Sequence, residues 1–253
     1  MGINSNNAVK IIPEVKTKEI SLAEIYFAEA EELRCNSQFK EAIDKYLHSI
    51  LINRDNPTSY LGLALSYKNL KNYSKAIKNL EKAEKLEPLD VVIQKELAMC
   101  NIINGDFCSG IKHLMNSIKL DPTNLDVQMQ LALVHEMIEE EDMALMIYQK
   151  IIETNSEYLR AYIQKATLYM HLNDYLNSAK LFKKVTVLKP DYYRAYLALG
   201  ICYEKLGNSV AAKRFYKKYV KLSKNELTNK EVIQRIIELE FNNKNEINNL
   251  RII

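Results

Sequence analysis

The stretch from Pro57 to Asp90, PTSYLGLALSYKNLKNYSKAIKNLEKAEKLEPLD, contains the pattern that decides the fold. Apolar residues recur at spacings of three and four in two segments, and a polar break at Lys71 and Asn72 separates them. Such spacings are typical of amphipathic helices that bury one face. Pro88 ends the second segment, because proline cannot continue a helix. The stretch therefore predicts two helices joined by a short turn.

The same pattern returns at intervals of 34 residues in both directions along the chain. Small residues occupy one position of the first helix in six successive units: Ala30, Ala64, Ala98, Ala132, Ala166 and Gly200. A second series occupies one position of the second helix: Ala42, Ala76, Gly110, Ala144, Ser178 and Ala212. Small residues let two antiparallel helices approach closely, and a large side chain there would overpack the interface. The two series therefore predict a row of helical hairpins.

A helix-turn-helix unit with this period resembles the tetratricopeptide repeat (TPR) family. The resemblance covers residues 23–226 as six tandem 34-residue repeats without insertion or deletion: 23–56, 57–90, 91–124, 125–158, 159–192 and 193–226. It implies an all-α, right-handed α-solenoid in which the first helix of each repeat lines a concave groove. Three repeats depart from the family by lacking proline at their ends, where Arg54, Ser156 and Lys224 stand instead.

The two ends of the chain lie outside the repeats. Residues 1–22 are predicted to form a polar tail and the start of the first helix, which Ser21 and Glu24 cap. Residues 227–242 are predicted to form a further helix, and residues 243–253 are predicted to form a flexible tail. The further helix starts with a capping box and carries apolar residues on one side: Thr228, Glu231, Val232, Ile233, Ile236, Ile237 and Phe241. Because a repeat array ends in an apolar face that must be covered, we expect this helix to cap repeat six.

Composition excludes several classes of protein. The chain is 47% hydrophobic and 26% charged, and its net charge of +3 is too small to indicate a nucleic-acid-binding protein. It has no apolar run long enough to cross a membrane, and its first ten residues do not read as a secretory signal. The four cysteines lack metal-site spacing and are expected to be reduced, which favours a cytoplasmic location.

Nothing in the sequence indicates catalysis. It contains no glycine-rich phosphate loop, no His-Glu-x-x-His motif and no nucleophile with an evident base, and its four histidines fall on different repeats. We therefore predict a protein that is not an enzyme and that needs no cofactor or metal. Two charged runs are interpreted as solvated surface: the acidic turn Glu139–Asp142, and a basic stretch on the last second helix. The alternative for the basic stretch is a surface for an anionic partner. Its residues are Lys213, Arg214, Lys217, Lys218 and Lys221.

Polar residues interrupt the core positions of repeats three and four. At one repeat position Gln94 and Gln128 stand in place of the usual aromatic residue. At another, Asn101 and His135 stand in place of tyrosine. Buried polar groups need hydrogen-bond partners. If they are buried, these side chains need partners or water, and we expect the middle of the array to be locally less stable.

An apolar strip on the first helices is the predicted binding site. It consists of Phe27, Leu61, Leu65, Met99, Ile103, Met129, Leu133, Met137, Ile163, Met170, Leu197 and Ile201. Core packing explains part of it, but the small and aromatic positions already supply the core-facing stripe. Extended apolar surface usually marks a binding site, and methionine-rich surfaces adapt to varied shapes. The Lys, Asn and Arg residues of the TPR proteins that grip a chaperone carboxylate are absent, since Phe27, Glu31, Gly62, Val92 and Glu96 stand in those places.

These observations predict a non-enzymatic scaffold or adaptor that binds an amphipathic helix or an extended apolar peptide of a partner protein. Two alternatives stay open. The chain could be a self-assembly module whose apolar strip or end helix is buried against a second copy, or an adaptor whose own tail fills the groove.

Overall fold

The computed structural model describes residues 21–223 and 229–240, and within these residues the chain forms α-helices and no strand. Twelve helices precede residue 223: α1 (Leu22–Cys35), α2 (Phe39–Ile52), α3 (Pro57–Asn69), α4 (Tyr73–Leu86), α5 (Val91–Ile103), α6 (Phe107–Leu120), α7 (Leu125–Met137), α8 (Glu141–Thr154), α9 (Leu159–His171), α10 (Tyr175–Leu188), α11 (Tyr193–Lys205) and α12 (Ser209–Leu222). Residues 229–240 form one more helix, α13. The tails predicted at 1–20 and 243–253 lie outside the described residues.

The helices form two compact units, residues 1–93 and 94–253. In the first unit α1 packs against α2, α2 against α3, and α3 against α4. In the second unit each helix from α6 to α12 packs against the next one along the chain. Within each unit, the second helix of one repeat therefore contacts the first helix of the following repeat. The predicted class, an all-α solenoid of tandem helical hairpins, is confirmed.

The turn inside each repeat is the same structure six times. One residue in each turn has a positive φ, and these residues are 34 apart: Ser37, Lys71, Gly105, Glu139, Asn173 and Gly207. The residue after it donates its backbone N–H to the carbonyl five residues earlier, as in Asp106 to Asn101 at 2.9 Å and Asp174 to Tyr169 at 2.8 Å. This arrangement closes the end of the first helix with a left-handed residue. Four repeats therefore hold a residue other than glycine in a conformation that favours glycine.

The residue that closes the first helix also starts the second. Four of these residues are Asp or Asn, and each side chain accepts a hydrogen bond from a backbone N–H of the new helix: Asn72, Asp106, Asp174 and Asn208. Gln38 and Glu140 occupy the same place and make no such bond. Their side chains are one carbon longer than those of the preferred capping residues. The predicted capping box of α1 is confirmed, with Ser21 N donating to Glu24 Oε2 at 2.8 Å.

Small residues lie at the centre of the packed hairpins. Ala30, Ala64, Ala98, Ala132 and Ala166 are fully buried, as their positions in the repeat predict. Gly200 ends this series, and a Cβ atom added there would lie 2.3 Å from the ring of Tyr216. The missing side chain thus makes room for an aromatic ring.

Helix α13 covers the end of repeat six, and it does so with a narrower face than the sequence predicts. Val232, Ile236 and Leu239 are buried in one cluster with Tyr216 and Tyr219. The prediction that Ile233 and Ile237 share this face is wrong, since they are 43% and 53% exposed. A stripe at i, i+4 and i+7 already fills the contact with α12, so the neighbouring positions turn outward. Thr228 and Phe241 lie outside the described residues.

The polar residues of repeats three and four are buried, and most of them have hydrogen-bond partners in the chain. Gln94 Oε1 lies 2.9 Å from His113 Nδ1, and Asn101 Nδ2 donates to the Leu97 carbonyl at 2.9 Å. His135 is 8% exposed, and its Nδ1 lies 2.6 Å from Glu140 Oε2. A local difference in stability stays a prediction.

Candidate functional site

The residues of the predicted strip lie on the first helices of the repeats, and they divide between the two units. Phe27, Leu61 and Leu65 belong to the first unit, and the other nine belong to the second. The nine fall on α5, α7, α9 and α11. Because the repeats share one register, residues 34 apart occupy the same place on successive first helices.

In the second unit the strip is most exposed on α5 and α7. Ile103 is 50% exposed and Met137 is 61% exposed, and the two occupy the same repeat position. One turn earlier, Met99 and Leu133 also share a position and are half-buried. Leu133 packs against a buried cluster around Tyr148. These four side chains give α5 and α7 an apolar edge, in which Leu133 is anchored in the core and Ile103 and Met137 are exposed.

Met129 does not belong to this surface. It is fully buried in the cluster that also contains Ala144 and Ala161, so the prediction that it lines a groove is wrong. These alanines leave space beside the helix, and the long, flexible methionine side chain fills it. Its equivalents in the next two repeats, Ile163 and Leu197, remain half-buried.

The remaining members on α9 and α11 are half-buried residues at the edge of the core. Met170 and Ile163 pack against the cluster that contains Phe182, and Leu197 and Ile201 pack against the cluster beneath α13. His171 is exposed and takes the repeat position of Met137. The exposed apolar row of α5 and α7 therefore gives way to a polar side chain on α9.

Charged groups flank the strip where the core contains a tyrosine. Tyr148 OH donates to Glu136 Oε2 at 2.9 Å, and Tyr216 OH donates to Glu204 Oε2 at 2.9 Å, at equivalent positions two repeats apart. Burial raises the pKa of the Tyr148 phenol, with a further contribution from Glu136. Where the core residue is Phe182, which has no hydroxyl, the acid is replaced by Met170. Glu136 and Glu204 thus each accept a hydrogen bond from the core tyrosine of their own repeat, and the apolar Met170 stands in their place in the repeat whose core residue is Phe182.

In the first unit the strip ends beside an ionic network. Phe27 lies 6.1 Å from the ring of Tyr46, centroid to centroid. Tyr46 OH donates to Glu31, and Arg34 Nη2 contacts Glu31 Oε2 at 2.5 Å. Burial raises the pKa of the Glu31 carboxyl, but the hydrogen bonds from Arg34 and Tyr46 outweigh it and the pKa is lowered. Half-buried Leu61 and Leu65 lie on the next first helix, α3.

A basic pocket on α12 contains four of the five residues of the basic stretch that the sequence interpretation assigned to solvated surface. It has a volume of about 470 Å³ and is lined by Tyr196, Arg214, Phe215, Lys217, Lys218 and Lys221. Lys218 Nζ lies 5.8 Å from the centre of the Tyr196 ring, and Lys217 pairs with Glu240 of α13 at 3.1 Å. The basic residues share one face of α12, as their helical spacing predicts. The contribution of Tyr196, on another helix, could not be read from that spacing.

Metal-ligating clusters and membrane-spanning helices are both absent from residues 21–223 and 229–240. No group of three or more His, Cys, Asp or Glu side chains there is arranged to hold a metal ion. Among the helices of this part of the chain, none combines the length and the apolar character needed to span a membrane. Cys100 and Cys202 are buried, whereas Cys35 and Cys108 are exposed.

The fold and the strip together define a class, that of α-helical repeat proteins built from two-helix units. Two family models described as tetratricopeptide repeat match the sequence, one over residues 57–88 and the other over residues 163–226. The chain therefore contains tetratricopeptide repeats at residues 57–88 and 163–226. A search of curated protein sequences finds no significant match.

Solved structures of the same fold are numerous. The C-terminal part of a TPR repeat-containing protein from Cytophaga hutchinsonii matches with a TM-score of 0.71 and 18% identity, covering 88% of this chain and 98% of that one. YrrB, described as a TPR protein with an unusual peptide-binding site, matches with a TM-score of 0.59 and 16% identity, covering 75% and 97%. MamA AMB-1 matches with a TM-score of 0.55 and 22% identity, covering 68% and 96%. At these identities the likeness concerns the fold.

Proposed function

We propose that this protein is a protein-interaction scaffold whose second unit binds an apolar or amphipathic helix of a partner along α5 and α7. TPR proteins are in general protein-interaction modules. The observation that carries the proposal is the pair of exposed apolar side chains at one repeat position, Ile103 and Met137. Half-buried Met99 and Leu133 lie one helical turn earlier and extend the apolar edge.

This arrangement suits a helical partner. A helix presents apolar side chains at i, i+3, i+4 and i+7, and such a face binds in apolar grooves of other proteins. Two methionines among the four side chains of this edge allow it to adapt to the partner, because the thioether chain is unbranched. Glu136 lies beside Met137 and directs a carboxylate oxygen to Tyr148, so the edge of the surface carries acidic character.

A selection of displayed random peptides tests the proposal. Peptides of about 15 residues are long enough to form a helix when bound. We expect the peptides that wild type enriches to be apolar on one helical face. Their binding should weaken about 100-fold or more in the double variant Ile103→Lys/Met137→Lys, because an unpaired buried charge costs several kcal/mol and each 1.4 kcal/mol is tenfold in affinity.

Met146 supplies a matched control. It is also a methionine, it is 61% exposed like Met137, and it lies on α8, a second helix. Met146→Lys should bind the selected peptides as wild type does. Equal loss in Met146→Lys and in the double variant would place the binding surface elsewhere. Unfolding of the double variant, followed by circular dichroism, would show that Ile103 and Met137 are core residues and would contradict the proposal.

A further inference from the structure

One core tyrosine is replaced in repeat four in a way that leaves a space. The position is Tyr26, Tyr60, Gln94, Gln128, Tyr162 and Tyr196 in successive repeats. Tyr162 and Tyr196 each donate the phenolic O–H to the carbonyl six residues earlier, at 3.2 Å and 2.9 Å. Gln128 makes the same bond with its amide, from Nε2 to the Pro122 carbonyl at 2.9 Å. Glutamine thus reproduces the hydrogen bond of the tyrosine without supplying a ring.

A pocket lies beside Gln128, between α6, α7 and α8. Its volume is about 200 Å³, and its walls are mostly apolar: Met115, Ile118, Lys119, Gln128, Leu131, Ile147 and Lys150. An apolar cavity of about 150 Å³ in a protein core is large enough to bind benzene. The pocket therefore has room for one aromatic ring. In repeat three the other glutamine of the series, Gln94, is instead bonded to His113.

Lys150 stands where other repeats place a cation over a ring. Lys82 Nζ lies 5.4 Å from the centre of Tyr60, and Lys218 Nζ lies 5.8 Å from the centre of Tyr196. Lys150 occupies the same repeat position as Lys82 and Lys218, and it lines the pocket next to Gln128. Repeat four therefore keeps the cation of this pair and lacks the ring. An ammonium group over a ring face is attractive, and more so where water is excluded.

The side-chain amide of Gln128 also has an unsatisfied hydrogen-bond acceptor. Gln128 is 5% exposed, and its Oε1 has no hydrogen-bond partner within the described part of the chain. The assignment of oxygen and nitrogen is fixed by the neighbouring Pro122 carbonyl, which can only accept. Buried polar atoms in folded proteins are nearly always paired. Gln128 Oε1 therefore lacks a hydrogen-bond donor that a molecule bound beside it could supply.

We propose that this pocket binds one aromatic side chain of a partner polypeptide, whose ring takes the place of the missing tyrosine under Lys150. The site is formed by α6, α7 and α8 and does not depend on the strip of α5 and α7 described above. An aromatic ring is favoured over an aliphatic group because the retained lysine interacts with a π face. The repeats themselves thus specify the chemistry of the occupant.

Two small probes of similar shape test the site. p-Cresol is the side chain of tyrosine, and 4-methylcyclohexanol is its saturated counterpart. With methionine methyl groups labelled for NMR, p-cresol should shift the Met115 signal with a dissociation constant of about 1 mM, a value typical of a small fragment. 4-Methylcyclohexanol should bind about two- to fivefold more weakly, because it offers no ring face to Lys150. The Met146 signal, outside the pocket, should not move with either probe.

Variants and peptides complete the test. Gln128→Tyr supplies the ring in cis and should abolish p-cresol binding while helical circular dichroism is retained. Lys150→Met should remove the preference for p-cresol, whereas Lys112→Met, at an exposed position of α6, should keep it. The peptide acetyl-Gly-Tyr-Gly-amide should compete with p-cresol, and acetyl-Gly-Leu-Gly-amide should compete less well.

Three results would overturn the proposal. The first is no saturable p-cresol binding in wild type, or equal binding in Gln128→Tyr. The second is equal affinity for the two probes. The third is a Met115 shift that develops with protein concentration alone, since the pocket would then be filled by a second copy of the chain.

Discussion

Lys165 is the perturbation that tests the packing most directly. It is 8% exposed and occupies a repeat position that is a buried leucine in four other repeats: Leu63, Leu97, Leu131 and Leu199. Its Nζ donates to Gln149 Oε1 at 2.7 Å and lies 5.9 Å from the ring centre of Tyr169. We predict that Lys165→Leu stabilises the protein, because leucine restores the apolar row and removes a desolvated ammonium group.

The expected gain follows from burial. Burying a leucine side chain contributes about 1.5–3 kcal/mol, and replacing buried charges by apolar groups is neutral or stabilising by about 1–4 kcal/mol. The lost bond to Gln149 offsets roughly 1 kcal/mol. A net gain of about 2 kcal/mol corresponds to a rise in melting temperature of about 4–8 °C for a domain of this size. Thermal unfolding followed by circular dichroism measures it, and Lys180→Leu, at an exposed position, serves as the control.

The pH dependence of the stability difference between Lys165→Leu and wild type tests the same explanation independently. Burial lowers the pKa of Lys165, and the opposing attraction of Glu153 is smaller. A lysine with a lowered pKa in the folded state destabilises the fold while it is protonated, and this penalty fades as pH rises from the folded pKa toward the unfolded value of about 10.4. The advantage of Lys165→Leu should therefore shrink as pH rises toward about 10.4. A variant no more stable than wild type, or a gap that does not change with pH, would refute the reasoning.

Three further changes have definite expected outcomes. Gly200→Ala should destabilise by up to about 2 kcal/mol in urea denaturation, because overpacking against Tyr216 costs about 1–3 kcal/mol and the better helix propensity of alanine returns only about 1 kcal/mol. Rescue by adding Tyr216→Leu would confirm the clash, and an unchanged midpoint would contradict it. Gln38→Asp should stabilise by about 1 kcal/mol by adding the N-cap bond that four other repeats have, and no gain in melting temperature would contradict that explanation. Hydrogen bonds from Arg235 and Tyr216 lower the pKa of Glu204, so this carboxylate stabilises the fold above the unfolded pKa of about 4.3, and the benefit is lost as pH falls through the folded pKa. Glu204→Gln should therefore unfold earlier than wild type at pH 7 and match it in acid, and a difference that persists in acid would argue for a packing effect.

Much of the architecture is determined by local patterns in the sequence. A spacing of three and four predicts a helix, and its return every 34 residues predicts the hairpins and their register. The buried alanines, such as Ala98 and Ala132, follow from that register, since a position that allows two helices to approach in one repeat does so in the next. Turn residues such as Gly105 and Gly207 follow as well, because glycine accepts a positive φ at little cost.

Other features were decided only when neighbouring helices came together. Met129 is buried while Met137, on the same helix, is 61% exposed, and Ile233 and Ile237 turn away from the core that Ile236 enters. Helical periodicity places a residue on a face to within one position, but its burial depends on the volume that the next repeat supplies. The pocket at Gln128 exists for the same reason. The sequence shows a glutamine in place of tyrosine, and only the packing of α6, α7 and α8 determines whether the missing volume collapses or stays open.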